Sequence, residues 1–213
     1  FLKILNCAVP RDACFLCLTK GLIEQENRVE RISAAAASIY RQKTKKNIAW
    51  ASIGGPVKAV ELAYFTPTLS VYATRDSSLA AVLERFKAGY YRLNITSDVC
   101  GVEICSAFKN IYAMGLGICD GLYSVSKPGS YHNFSSILFS QAVREMNLIT
   151  EAVGGKSLTA YGPAGVGDLY VTSQSGRNRR FGELIGKGLK AQSAYEDMLQ
   201  QGEVAEGYHA LKL

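Results

Sequence analysis

DVCGVEICSAFKNIYAMGLGICDGL, from Asp98 to Leu122, is the stretch on which the fold turns. It reads as one long helix. Ile104, Phe108, Ile111, Gly115, Ile118 and Leu122 recur at helical spacing and make an apolar stripe. A neighbouring stripe carries Ser106, Lys109, Ala113, Gly117 and Asp120. Gly115, Gly117 and Gly121 destabilise a helix interior, so their presence predicts close approach by another backbone or a ligand. Before this stretch, short apolar runs alternate with helical patterns. Strands are expected at Ala13 to Leu18, Ile48 to Ile53, Leu69 to Ala73 and Tyr90 to Leu93. Helices are expected at Glu24 to Tyr40, Pro56 to Ala63 and Ser77 to Lys87. In the first of these, Val29, Ile32, Ala36 and Ile39 share one face, and Glu24 and Glu26 occupy the first turn. Strands alternating with helices predict an α/β layer on a mostly parallel sheet. After the long helix, further helices are expected at Asn133 to Val153, Arg177 to Lys187 and Ser193 to Gln201. Phe139, Val143, Met146, Ile149 and Val153 form the expected buried face of the first. The change of pattern places a domain boundary near residue 96.

The whole chain has 213 residues and a net charge of +6, with 48% hydrophobic and 20% charged residues. That excludes a disordered chain, and the scattered glycines and prolines exclude a collagen-like one. Phe1 to Pro10 lacks the pattern of a signal peptide. No segment reaches the roughly 18 apolar residues of a membrane span. Cys7, Cys14, Cys17, Cys100, Cys105 and Cys119 sit mostly in apolar surroundings, where thiols behave as small hydrophobes. Cys14 and Cys17 form a CxxC, but inside a strand-like run rather than at a helix start, which favours packing over redox chemistry. With two histidines, a zinc site is disfavoured. A reducing cytoplasm fits this cysteine usage. Basic clusters at Arg41 to Lys46 and Arg177 to Arg180 are compatible with nucleic acid, a membrane surface or a phosphorylated ligand. No aromatic-interleaved signature accompanies them, so nucleic acid is not the expected partner.

Several residues carry candidate chemistry. Lys109 lies mid-helix beside Ala107, Phe108 and Ile111, with Asn110 next to it. A solvated lysine is the bland reading. A lysine held in such a pocket instead has a lowered pKa and serves as acid and base. Gly165 to Thr172, GVGDLYVT, sets Asp168 after small residues, either as a working carboxylate or as the N-cap of a loop. Ser175 to Gly182, SGRNRRFG, offers Arg177 and Asn178 at a helix start, either as a phosphate site or as a basic turn. Leu18-Thr-Lys-Gly21 and Gly54-Gly55-Pro56 each follow a strand, where ligands bind in open α/β sheets. Lys20 is therefore placed to meet a ligand.

The order of these pieces resembles the NAD(P)-dependent glycerol-3-phosphate dehydrogenase family. The pieces are Leu18-Thr-Lys-Gly21, Gly54-Gly-Pro56, Gly101-Val-Glu103 with Lys109-Asn110, Gly165-Val-Gly-Asp168, Gly176 to Gly182 and Val204-Ala-Glu-Gly207. The resemblance implies a partial Rossmann-type doubly wound sheet followed by an all-α substrate domain of the 6-phosphogluconate dehydrogenase-like type. Residues 1–96 would be the C-terminal part of a dinucleotide-binding domain, and 97–213 a truncated catalytic domain. It implies interconversion of dihydroxyacetone phosphate and sn-glycerol 3-phosphate with NAD or NADP, by a homodimer without a membrane span. Lys109 would donate and accept the proton, and Lys20 would be a second catalytic lysine near the nicotinamide. Two neighbouring ammonium groups lower each other's pKa. Asn110, Asp168, Thr172, Arg177, Asn178 and Gly55 would hold the substrate. Lys20, Ala59, Arg177, Val204 and Glu206 would contact the cofactor.

The chain also departs from that pattern. Val57 replaces a small polar residue of bacterial members, Gly176 replaces a serine, and the Asp168–Arg177 spacing looks eukaryotic. The fingerprint G-x-G-x-x-G, which cradles the cofactor pyrophosphate, is absent from the sequence. The chain opens without Met and stops soon after Glu206. It therefore reads as a fragment truncated at both ends and inactive by itself. Three other readings stand beside this one. They are a non-catalytic sensor of a small phosphorylated ligand, a basic nucleic-acid binder, and a hydroxy-acid dehydrogenase of the same two-domain plan. The arginines near Asn178 favour a phosphorylated substrate over the last.

Overall fold

Strand β1 (Cys14–Cys17) begins the residues described by the computed structural model, which are 13–25, 27–126 and 131–211. Cys7 and the stretch from Phe1 to Pro10 lie outside them. The next element differs from expectation. Residues 24 to 31 do not begin a helix. They form an antiparallel hairpin, β2 (Leu22–Gln25) and β3 (Arg28–Arg31), paired from Leu22 opposite Arg31 to Gln25 opposite Arg28. The cause is Asn27, which takes a left-handed φ of 61°. Asparagine tolerates that conformation, and it breaks a helix while closing a tight turn. Helix α1 (Ile32–Thr44) starts only after the hairpin, and Ile32 and Ala36 of the expected face are buried in it. Val29 lies exposed on β3.

Strand β4 (Ala49–Gly54), the short helix α2 (Ala59–Ala63), strand β5 (Thr68–Ala73), helix α3 (Ser77–Leu83) and strand β6 (Tyr91–Thr96) complete the layer. Pro56 lies ahead of α2 rather than at its first position. The sheet order is β1-β4-β5-β6, with β1/β4 and β5/β6 parallel and β4/β5 antiparallel. Trp50, Val71 and Ala73 pack on one face with Ala36 of α1, and Leu79 and Leu83 of α3 cover the other with Ile53 and Leu93.

Helix α4 (Val99–Ser126) carries the decisive stretch in 28 residues. Asp98 caps it, accepting from the Gly101 N–H at 2.9 Å. The second Asp98 oxygen accepts from the Lys156 N–H and the Thr159 hydroxyl. Glu103 ties α4 to the sheet layer. It accepts from Arg31, from the backbone and hydroxyl of Ser33, and from Ser52. The innermost face of α4 is the small-residue stripe together with Ile104, rather than the apolar stripe as a whole. Ser106, Lys109, Ala113, Gly117 and Asp120 are all buried, whereas Gly115 and Leu122 of the apolar stripe are exposed. Helices surround α4, and the small-residue face admits the closest of them.

That neighbour is α8. After α4 come α5 (His132–Ala152), α6 (Ser157–Tyr161), a wide π-type turn over Pro163–Gly167, α7 (Asp168–Gln174), α8 (Arg177–Gly186), α9 (Ala191–Gln200) and α10 (Glu206–Ala210). The buried face of α5 is rotated from the expected one. Ala142, Met146, Asn147 and Thr150 are innermost, and Val153 is exposed. Asn147 turns inward because it accepts from the Ser157 hydroxyl at 2.7 Å. Gly117 on α4 and Gly182 on α8 bring the two helix backbones into contact. A Cβ at Gly182 would sit 2.0 Å from the Met114 carbonyl oxygen, and one at Gly117 2.0 Å from that of Arg179. A Gly182→Ala variant should therefore lose about 1–3 kcal/mol of stability through forced separation. An unchanged denaturant midpoint would remove this contact from the packing account.

The described cysteines are all unpaired. Cys14 is exposed and Cys17 buried on β1, so the CxxC does not close. Burial pushes the Cys105 thiol up to about 11, which leaves it inert near neutral pH. Among the described residues, no helix is long and apolar enough to cross a membrane.

Candidate active site

Lys109 sits in the middle of α4 with its side chain almost wholly buried. The local sequence puts it on the small-residue face, and that face is turned inward by the fit of α8. Its Nζ donates to Oδ1 of Asp168, the first residue of α7. The other oxygen, Oδ2, accepts from Lys20 Nζ at 3.3 Å and from the Gly55 N–H at 3.3 Å. One carboxylate therefore bridges two ammonium groups. Asp168 is 2% exposed and sits in a helix rather than a loop. Its side chain caps nothing. Pro163, which suits a helix start, was the sequence signal for order in this segment.

Burial lowers the pKa of Lys109 to about 8, and the Lys20 charge pushes the same way, while Asp168 opposes both. A lysine near 8 holds both protonation states in useful amounts near neutral pH, as acid–base work requires.

A second group of contacts joins α4, α8 and α10. Asn110 Nδ2 donates to Glu206 Oε2 at 3.3 Å, and Arg177 Nη2 donates to Glu206 Oε1 at 3.1 Å. Asn178 is buried, and its Oδ1 accepts from the Gly207 N–H at 2.8 Å. The two groups share one cavity of about 640 Å³. Lys20, Lys109, Asn110, Asp168, Thr172, Arg177, Asn178 and Glu206 all line it. Gly55 reaches it through its bond to Asp168. Its φ of +111° and the backbone of Leu69 to Val71 behind it exclude a side chain. Ala59 and Val204 do not line the cavity. Ala59 is exposed at the start of α2.

Sequence reasoning gave no role to Lys58 or Ser175, both of which line the cavity. Lys58 Nζ donates to Ser175 Oγ at 3.3 Å across the mouth. The available signal was position: Lys58 follows the strand-end Gly54-Gly55-Pro56, and Ser175 precedes the turn at Gly176. A larger cavity of about 730 Å³ lies between α4, α5 and α7. No lysine lines it, so the paired lysines place the acid–base chemistry in the smaller one. The Arg177 to Arg180 cluster is not a free phosphate-tracking stripe. Arg177, Arg179 and Arg180 pair with Glu206, Asp120 and Glu203.

The cofactor that the resemblance implies can be tested against this donor set. Lys20 and Arg177 are cationic donors in the cavity, and the carboxyl ends of β1 and β4 open on it through Leu18, Thr19 and Val57. That suits the nicotinamide end of a dinucleotide. The pyrophosphate end is not matched. The turn after β1 leads into the β2–β3 hairpin, not into a helix whose N-terminus would take phosphate.

Comparison with known proteins agrees with the geometry. Residues 98–213 match the family model described as NAD-dependent glycerol-3-phosphate dehydrogenase C-terminus. Over 200 residues the chain is 34% identical to the NADP(+)-dependent glycerol-3-phosphate dehydrogenase of Archaeoglobus fulgidus, covering 93% of this chain and 58% of that protein. Over 207 residues it is 34% identical to the NAD(P)+ glycerol-3-phosphate dehydrogenase of Clostridium tetani, covering 96% and 55%. The crystal structure of glycerol-3-phosphate dehydrogenase from Coxiella burnetii superposes with a TM-score of 0.79 at 29% identity, covering 98% of this chain and 59% of that one. The Plasmodium falciparum structure shares the fold at 22% identity and a TM-score of 0.82, covering 99% and 57%. The chain thus spans between half and three-fifths of the length of these relatives. With more than half of its residues matching the family model, and the lysine–carboxylate cluster inside that match completed by Lys20, the chain belongs to the NAD-dependent glycerol-3-phosphate dehydrogenase family.

Proposed function

We propose that the protein containing this chain interconverts dihydroxyacetone phosphate and sn-glycerol 3-phosphate. The observation that carries this reading is the buried Lys109 bonded to Asp168, beside Lys20, in a cation-lined cavity. Bound NAD or NADP supplies the hydride acceptor or donor. Lys109 moves the proton. As a neutral amine it takes the proton of the C2 hydroxyl when glycerol 3-phosphate is oxidised, and as an ammonium it returns one to the carbonyl oxygen of dihydroxyacetone phosphate. Asp168 holds both lysines in place. Lys20 keeps the local potential positive, which favours oxygen anions and lowers the Lys109 pKa. Arg177 and Asn178 receive the phosphate, with Arg177 released from Glu206. Asn110 and Thr172 bond the substrate's hydroxyl groups. Lys20, Arg177 and Glu206 also face the cofactor, with Ala59 and Val204 on its outer side.

The proposal includes the division at residue 96. Residues 1–96 carry part of the cofactor layer and 97–213 the substrate site, supported by the sheet ending at Thr96 and α4 beginning at Val99. It includes a homodimer, supported by the exposed Phe134, Ile137 and Leu148 on α5, and checked by light scattering. It includes a reducing cytoplasm, supported by the unpaired cysteines.

The Lys109 pKa tests the assignment. Oxidation needs the neutral amine, so its kcat/KM rises with pH through an inflection near 8. Reduction needs the ammonium, so its kcat/KM falls through the same inflection. Profiles flat between pH 7 and 9 in both directions would remove Lys109 from the proton transfer.

A further inference from the structure

The cations around the cavity are not equally engaged. Lys109 and Lys20 share Asp168, and Arg177 is held by Glu206. Lys58 differs. Inside the cavity its bond is to a neutral hydroxyl, Ser175 Oγ at 3.3 Å. Its carboxylate partner is Glu61 Oε1, at 4.0 Å on the helix that Lys58 precedes and mostly in water. An i,i+3 pair of that length and exposure contributes little. Lys58 also comes from the sheet layer, whereas Ser175, Arg177 and Asn178 come from the helical part, and all four line the one cavity. The Lys58–Ser175 bond spans 117 residues of sequence and is made at the lip of the cavity rather than in its wall. A dianion entering there meets an ammonium that loses only a weak hydroxyl bond in turning to it.

We propose that Lys58, with Ser175 beside it, is a phosphate-binding arm of this cavity that joins Arg177 in holding a phosphate group. The inference rests on the reading of the cavity as a phosphate-ligand site. The phosphate has two possible sources, the substrate's monoester and the phosphate groups of the dinucleotide. A charge-assisted bond of partly exposed groups corresponds to about a 10-fold change in affinity, or about 1.4 kcal/mol.

The test compares the chain with its Lys58→Met and Lys58→Arg variants by titration calorimetry. The probes are inorganic phosphate, glycerol 3-phosphate, glycerol, NAD and NADP. Lys87→Met, which removes an equal charge paired to Glu84 away from the cavity, controls for net charge. The expected result is about 10-fold weaker binding of phosphate and glycerol 3-phosphate by Lys58→Met, restored by Lys58→Arg and not seen with Lys87→Met. A loss seen with NAD and NADP but not with phosphate or glycerol 3-phosphate assigns the arm to a cofactor phosphate instead and keeps it a phosphate arm. Equal affinities in Lys58→Met and the unaltered chain overturn the proposal and leave the dehydrogenase reading standing. A lowered melting temperature with unchanged affinities overturns it too, since Lys58 would then be a cross-link only. Lys58-dependent phosphate binding without glycerol 3-phosphate binding keeps the arm and sinks the substrate assignment. Failure of the unaltered chain to bind any of the phosphates overturns both.

Discussion

Replacing Lys109 by alanine lowers kcat for glycerol 3-phosphate oxidation by about 10²–10⁴-fold, the range lost with a positioned acid–base group. Substrate binding changes far less, because Arg177, Asn178 and Lys20 remain in the cavity. The rate is followed by nicotinamide absorbance, and binding by titration with glycerol 3-phosphate. Lys109→Arg does not restore turnover, since a guanidinium stays protonated where an amine near 8 gives up its proton. A purely structural Lys109 would behave otherwise. Alanine would then leave Asp168 bonded to Lys20 and Gly55, reduce stability, and keep kcat within a few-fold. Turnover within 10-fold of the unaltered protein would sink the assigned role.

Asp168→Asn is expected to lose about 3–5 kcal/mol of stability at pH 7, the range for removing one partner of a buried ion pair. The carboxylate is buried and holds Lys109, which is nearly as buried, and Lys20, which is partly exposed. An amide keeps the shape and removes the charge. The Lys109 ammonium is then uncompensated, and its pKa falls below the value of about 8 it has beside Asp168. An unfolded lysine titrates near 10.4. The unfolded chain therefore binds more protons between the folded and unfolded values, and the variant's stability rises with pH through that window. The deficit is fully present below the variant's own folded pKa and shrinks up to about 8, above which both proteins hold a neutral Lys109 and gain equally. Urea unfolding at pH 7 and pH 9.5 measures both parts. A deficit under about 1 kcal/mol, or one equal at the two pH values, would show that Asp168 does not neutralise the lysines.

Both variants concern residues whose candidacy was visible in the chain, yet whose relation was not. Lys109 stood out because a charged side chain in a helix of small and apolar residues needs a reason. Asp168 and Lys20 stood out beside small residues and at a strand end. Their convergence is another matter. Asp168 lies 59 residues from Lys109 and 148 from Lys20, and no local period encodes such a meeting. Lys58 was overlooked, and its meeting with Ser175 missed, for the same reason, because each is ordinary in its own neighbourhood. Ala59 and Val204 show the converse. Motif order nominated them, but the cavity wall does not include them.

What the amino-acid sequence determined by itself was local. The alternation of strands and helices before residue 96, the long helix after it and the types of residue at the site followed from periodicity, caps and glycine placement. The tertiary structure decided the rest. It turned Leu22 to Arg31 into a hairpin, ran β5 antiparallel to β4, and buried the face of α4 that carries Lys109. For α4 the physical reason is packing. Hydrophobic period says which side of a helix prefers to leave water, but α4 is enclosed on most sides. There the closest packing governs, and glycines at 117 and 182 let backbone meet backbone. That contact carries the polar stripe inward, and with it a lysine whose chemistry depends on being buried.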